Sequence, residues 1–188
     1  MVGKSNSSIK VAATQGAARQ ELPALTRDTP GGRAAGTFLP TVIVRDIREN
    51  PKKCSILPLR GRADLLFLSY SANLSVPSAE SDLNSYIRLA PGGPELSLED
   101  ADSGLLLLDA SWRRAEGMIR AYRHIPARSL TGYQTAYPRV SKKGTDPANG
   151  LATVEALFLA YHILGRPTAG LLDHYRWAEE FLRLNNLF

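Results

Sequence analysis

The hydrophobic and polar positions of this chain change rhythm twice. Residues 1–36 keep no period: Ser, Ala, Gly, Thr and Gln predominate, and the stretch ends near Thr29-Pro30-Gly31-Gly32. Such a composition buries too little apolar surface to offset chain entropy, which predicts a disordered basic tail. From residue 37 to 103 short apolar runs are separated by turn signals. Val42, Ile43 and Val44 are β-branched and predict a strand. Asn50-Pro51 marks a turn or helix start, and Ala63–Tyr70 is a second short apolar run. Residues 71–85 are polar and predict a loop or short helix. Residues 86–100 predict two extended pieces around the Pro91-Gly92-Gly93-Pro94 turn.

The strongest strand follows in "GLLLLDASW", residues 104–112. Four consecutive leucines are apolar on both faces, the pattern of a central parallel strand covered on both sides. Beyond it the period turns helical. Residues 112–122 predict a helix directly after the strand, and residues 123–150 a long irregular segment. In "LATVEALFLAYHIL", Leu151, Val154, Phe158, Tyr161 and Leu164 fall near one helical stripe. Gly165 and Pro167 end that helix. A last helix is predicted over 169–185, with Leu171, Tyr175, Ala178 and Leu182 at helical spacing. Alternating strands and helices place the chain in the α/β class.

Composition then narrows the chemistry. The single cysteine, Cys54, excludes an intrachain disulfide and a multi-cysteine zinc site. His124, His162 and His174 lack metal-ligand spacing, so no metal is expected. Neither a dinucleotide fingerprint, a P-loop nor a nucleophile elbow occurs. There is no 18-residue apolar run for a membrane span. The N-terminus lacks a signal-peptide core, which points to the cytoplasm. Basic residues exceed acidic ones by 23 to 18. The excess concentrates in residues 113–143, where eight basic side chains face Glu116 alone. That cluster suits a polyanionic partner or is a solvated face; charge alone does not decide.

In an open α/β sheet, ligands sit beyond the carboxyl ends of the strands. Asp109 lies there, followed by two small residues and Trp112. A carboxylate and a flat ring suit a ligand with an apolar plane and a cationic centre. The alternatives are a helix cap at Asp109 and a core position for Trp112. Cys54 follows two lysines, which favour a lowered thiol pKa, but a buried structural cysteine fits better because no histidine is near in sequence. Glu155, in an otherwise apolar helix, suits a scaffold role on the backbone amides of a neighbouring loop.

Five motifs, spread over about residues 41–186, carry a family resemblance. "NPKKCS", "LLLLDASW", "ARSLTGYQTAYP", "LATVEALFLAYHILG" and "LLDHYRWAEEFLRLN" occur in the order seen in the small-subunit rRNA aminocarboxypropyltransferase family. "DASW" also resembles the D-x-T-W signature of the DTW-domain tRNA-uridine aminocarboxypropyltransferases. The chain departs from the first family's pattern at Asn50 for Asp, at Ala110 for Cys, and at Tyr137–Gly144, where "YPRVSKKG" replaces an N-P-x-N-Y-G run. These departures bear on the RNA substrate more than on the donor site.

The resemblance implies an enzyme that takes S-adenosyl-L-methionine (SAM) as co-substrate and transfers its 3-amino-3-carboxypropyl group, not its methyl. It implies a SPOUT-like half over 104–188 with a trefoil knot, preceded by a small α/β lobe over 37–103. The cofactor is then held mainly by loop backbone. Leu108 meets the ribose, Trp112 and Ala115 pack on the methionine part, and Ser55 lies near the carboxylate. Leu130, Tyr133 and Ala136 line the adenine site, and Asp109 faces the reacting centre. The acceptor is a uridine or pseudouridine nitrogen in structured RNA, rRNA before tRNA, with Arg113, Arg139, Lys142 and Lys143 on its phosphates. A monomer is favoured. The competing functions are DTW-type tRNA modification, SPOUT-type methyl transfer and non-catalytic RNA binding in assembly.

Overall fold

Runs of β-branched residues and leucine, each four to six residues long, build most of a parallel sheet. The computed structural model describes residues 38–71, 83–138 and 150–188. The expected tail and the polar stretch 72–82 lie outside those residues. Among the described residues five strands form one sheet: β1 (Thr41–Asp46), β2 (Leu65–Tyr70), β3 (Tyr86–Leu89), β4 (Gly104–Asp109) and β5 (Ala127–Arg128). Their order is β2-β1-β4-β3-β5, and every pairing is parallel. The leucine run is the central strand, with Val42 opposite Leu106 and Val44 opposite Leu108 on β1.

Alternation along β4 divides the core in two. Leu105 and Leu107 face one layer with α2 (Thr153–Ile163) and α3 (Ala178–Leu184). Leu106 faces the other layer, with Val42, Val44 and Met118 of α1 (Trp112–Ala121). A leucine on either face therefore stays buried, which explains why the run has no polar member. The sheet crosses the lobe boundary expected at residue 103. β3 and β4 are hydrogen-bonded neighbours, and β1 lies on the other side of β4.

α2 is buried nearly all round rather than on one stripe: Val154, Leu157, Leu159, Ala160 and Tyr161 are all enclosed. The sheet covers one side and the C-terminal segment the other, with Phe158 and Phe181 packed edge to face at 6.0 Å. The helix ends as expected. Gly165 takes φ 66°, its N–H donates to the His162 carbonyl, and Arg166 N–H donates to the Tyr161 carbonyl at 2.8 Å. These two bonds form a Schellman cap.

The last helix differs from the expectation. It covers only 178–184; residues 169–177 form turns, with Gly170 at φ 77°. Leu171, Leu172 and Tyr175 reach the core from those turns. Their helical spacing came from burial without a helix.

Topology fixes where a ligand site belongs. The chain leaves β1 for β2 on one side and leaves β4 for β5 on the other. The crevice between the carboxyl ends of β1 and β4 is therefore a switch point, the usual binding place in such sheets. No described helix is long and apolar enough to cross a membrane.

Candidate cofactor and catalytic site

A cleft of about 1380 Å3 opens at that switch point. Its walls are loops: 49–55 after β1, 89–92 after β3, 107–111 at the end of β4, 128–134 after β5, and 174–177 before α3. Asn50 starts the first of these. Its Oδ1 accepts the Lys52 N–H at 2.9 Å, a role that needs only an acceptor oxygen. Asn therefore serves where the resembling family has Asp. The turn that follows brings Cys54 and Ser55 to the cleft, where Ser55 Oγ accepts the Val154 N–H at 3.4 Å.

Asp109 ends β4, is 8% exposed and lines the cleft. It does not cap the following helix. The N-cap of α1 is Ser111, whose N–H donates to Glu49 Oε1 at 2.6 Å. The Asp109 carboxylate is engaged elsewhere. Thr153 Oγ1 donates to Oδ1 at 2.7 Å and Cys54 Sγ donates to Oδ2 at 3.2 Å. Arg45 Nε lies 3.3 Å from the same Oδ2, an ion pair by distance in which Nε makes no hydrogen bond.

Electrostatics around the carboxylate settle the state of Cys54. Burial, then the Asp109 charge, push its thiol above the usual value. The neighbouring lysines do not make it a thiolate, and it stays a neutral donor. Glu49 stands on the same edge. Burial raises its pKa, but hydrogen bonds from Arg114 and the Ser111 amide outweigh this and hold it below the usual carboxylate range.

The wall expected to hold adenine hangs on one carboxylate. Glu155 is fully buried in α2. It accepts from Ala136 N–H at 2.8 Å, Thr135 Oγ1 at 2.7 Å, Ala152 N–H at 2.7 Å and Tyr175 Oη at 2.8 Å. Three loops meet on this one side chain, the scaffold role expected of it. Asn185, just past α3, ties the same wall by accepting the Gln134 N–H and donating to the Gln134 carbonyl.

Of the residues expected at the site, Ser55, Leu108, Asp109, Ala115, Leu130 and Tyr133 line this one cleft. Ala136 is not in the lining; its backbone is fixed to Glu155. Trp112 and Arg113 open α1 directly after the cleft-lining Ser111, and their side chains lie outside the described part. Arg139, Lys142 and Lys143 lie outside the described residues altogether. Sequence reasoning missed Arg45, Glu49 and Thr153. Arg45 reads as an ordinary strand residue, and Thr153 as an ordinary helix start. No spacing rule joins residues 45, 109 and 153. Among the described residues no group of acidic, His and Cys side chains is arranged to hold a metal ion.

No family model matches the chain. Two proteins of known activity do resemble it. The 16S rRNA aminocarboxypropyltransferase of Methanocaldococcus jannaschii is 32% identical over 144 residues, which cover 72% of this chain and 76% of that protein. The structure of the SAM-dependent rRNA:acp-transferase Tsr3 from Vulcanisaeta distributa superposes with a TM-score of 0.58 at 22% identity. It covers 79% of this chain and 80% of that one, a likeness of fold. Identity at that level, over three quarters of the archaeal enzyme, settles the family: the chain belongs to the rRNA aminocarboxypropyltransferases.

Proposed function

We propose that this chain transfers the 3-amino-3-carboxypropyl group of SAM to a uridine or pseudouridine nitrogen in rRNA. The observation that carries this is a loop-built cleft at the switch point of a parallel sheet, lined by the Asp109 carboxylate at the end of its central strand, in a chain of that enzyme family. The residues present fit the donor. Leu130 and Tyr133 offer an apolar wall for a flat base, and Asp109 a counter-charge for a cationic centre. A cleft of about 1380 Å3 is large enough for a small-molecule donor.

In this reading Leu108 backbone meets the ribose, Ser55 lies near the carboxylate of the donor, and Trp112 and Ala115 pack on its methionine part. Asp109 orients the acceptor or takes its proton. The donor's sulfonium supplies an already activated carbon, so positioning carries much of the remaining barrier. Arg113, Arg139, Lys142 and Lys143 take RNA phosphates; if so, neutralising the last three flattens the salt dependence of RNA binding. The SPOUT-like knotted half and the kinship with DTW-domain enzymes belong to the same reading. They are supported by the "DASW" signature at 109–112 and by a site without a glycine-rich fingerprint.

Mass spectrometry of RNA from cells with and without the gene tests the function. One nucleoside should be heavier by about 101 Da, the mass of the added group, whereas about 14 Da identifies methyl transfer. No difference in any RNA overturns both.

A further inference from the structure

Asp109 reaches the cleft already held by donors from three separate elements. Thr153 is the first residue of α2, Cys54 lies in the loop after β1, and Arg45 is the penultimate residue of β1. Thr153 takes Oδ1; Cys54 and Arg45 share Oδ2. An ionised carboxylate offers about four lone-pair sites, so two neutral donors fix its plane and leave part of it for the cleft. Any carboxylate is a far weaker base than an imide anion, so it cannot readily strip an imide before reaction. Once the imide nitrogen has bonded to carbon its proton is strongly acidic, and a weak base suffices.

We infer that Thr153 and Cys54 are positioning residues for the transfer, holding Asp109 aimed so that it takes the acceptor's proton as the N–C bond forms. The inference rests on the transfer reading above and names the parts of its site that act through Asp109. In the step, the acceptor nitrogen attacks the carbon beside the sulfonium. The N–C bond forms, the C–S bond breaks with its electron pair going to sulfur, and the N–H proton passes to Asp109 and then to water. A sulfonium and a carboxylate become a neutral thioether and a neutral acid, so charge balances. Among the described residues, the charged and titratable groups in contact with the carboxylate are Arg45 and Cys54. Glu49, on the same edge, is turned to Arg114 and the Ser111 amide.

The test is single-turnover transfer from SAM to small-subunit rRNA purified from cells lacking the gene, measured for the wild type, Thr153→Val, Thr153→Ser and Cys54→Ala. Calorimetry follows SAM affinity in parallel. Loss of a hydrogen bond to a charged group should slow Thr153→Val by about tenfold or more. SAM affinity should stay within about twofold, since the donor hydrogen-bonds Asp109 and not the ligand. Thr153→Ser should restore the rate, and Cys54→Ala should slow it by less. A Thr153→Val enzyme at wild-type rate, or a slow one that Thr153→Ser fails to rescue, overturns the inference. If the wild type binds SAM yet adds no aminocarboxypropyl group to this rRNA, the failure lies in the transfer reading itself.

Discussion

Asp46 and Asp109 end neighbouring parallel strands, yet their surroundings make them different groups. The Asp46 side chain is 0% exposed. Arg48 closes over it with its backbone N–H at 2.8 Å, Nε at 2.9 Å and Nη2 at 2.6 Å, and Arg114 Nε stands 3.9 Å away. Both oxygens are taken by one guanidinium, and Asp46 does not line the cleft. Asp109 instead meets a hydroxyl, a thiol and the edge of Arg45, and its side chain keeps 12% exposure toward the cleft. A forked arginine consumes a carboxylate; small neutral donors aim one and leave it usable. Strand position alone does not separate the two. What distinguishes them is which elements supply the donors.

Breaking Asp46 should have the largest effect, on stability. Asp46→Ala leaves Arg114 Nε, already without a hydrogen bond, facing a buried gap. Loss of a buried ion-pair partner costs about 3–5 kcal/mol. Arg48 is 54% exposed and regains water, so about 3 kcal/mol is expected, read as a lower denaturant midpoint. The folded fraction should keep SAM affinity and turnover. A variant that stays stable but loses activity would put Asp46 in the site and erase the contrast.

Asp109→Asn should show the opposite split. The amide keeps the shape but loses the charge and the proton-accepting role. Single-turnover rate should fall about 10²-fold, or about 2.7 kcal/mol, and SAM affinity by less, since the lost counter-charge weakens binding while the proton-accepting role acts in the chemical step. An unchanged rate in a protein that simply melts earlier would make both aspartates structural.

The asymmetry between the two residues also shows what can be read along the chain. The central strand was legible because burial on both faces leaves an unbroken apolar run, and Asp109 stood out by ending it. Glu155 was legible as a lone charge in an apolar helix. Asp46 was not distinguishable, since its fate depends on Arg48 folding back and on Arg114 arriving from α1. The donors to Asp109 were hidden for the same reason: residues 45, 54 and 153 meet only after β1 and α2 pack on β4. The last helix was overread because Leu171 and Tyr175 are buried at helical spacing by turns. Tyr175 is anchored instead by its hydroxyl on Glu155.

Acid titration gives the smallest and most selective comparison. The Arg48 side chain, hydrogen-bonded to Asp46, outweighs the upward push of burial and holds the Asp46 carboxyl below its ordinary value of 3.8. A carboxylate whose pKa is depressed by folding contributes stability above its unfolded value, and loses it as pH falls through the folded one. The Asp46 contribution is therefore complete near neutrality and disappears below about pH 3.8. Asp64, on which burial pushes up but the Arg62 pair prevails, and Glu49 are held low as well, and they titrate toward the same acid side. The wild type should thus lose stability steeply below pH 4. Asp46→Asn cannot titrate at this position, so its deficit relative to wild type should be full at pH 7, hold down to about pH 5, and shrink below that. Denaturant midpoints at intervals from pH 7 to about pH 2 measure this. A deficit of Asp46→Asn that stays constant with pH would mean its ion pair adds nothing that a neutral amide lacks, and the contrast between the two strand ends would then rest on exposure alone.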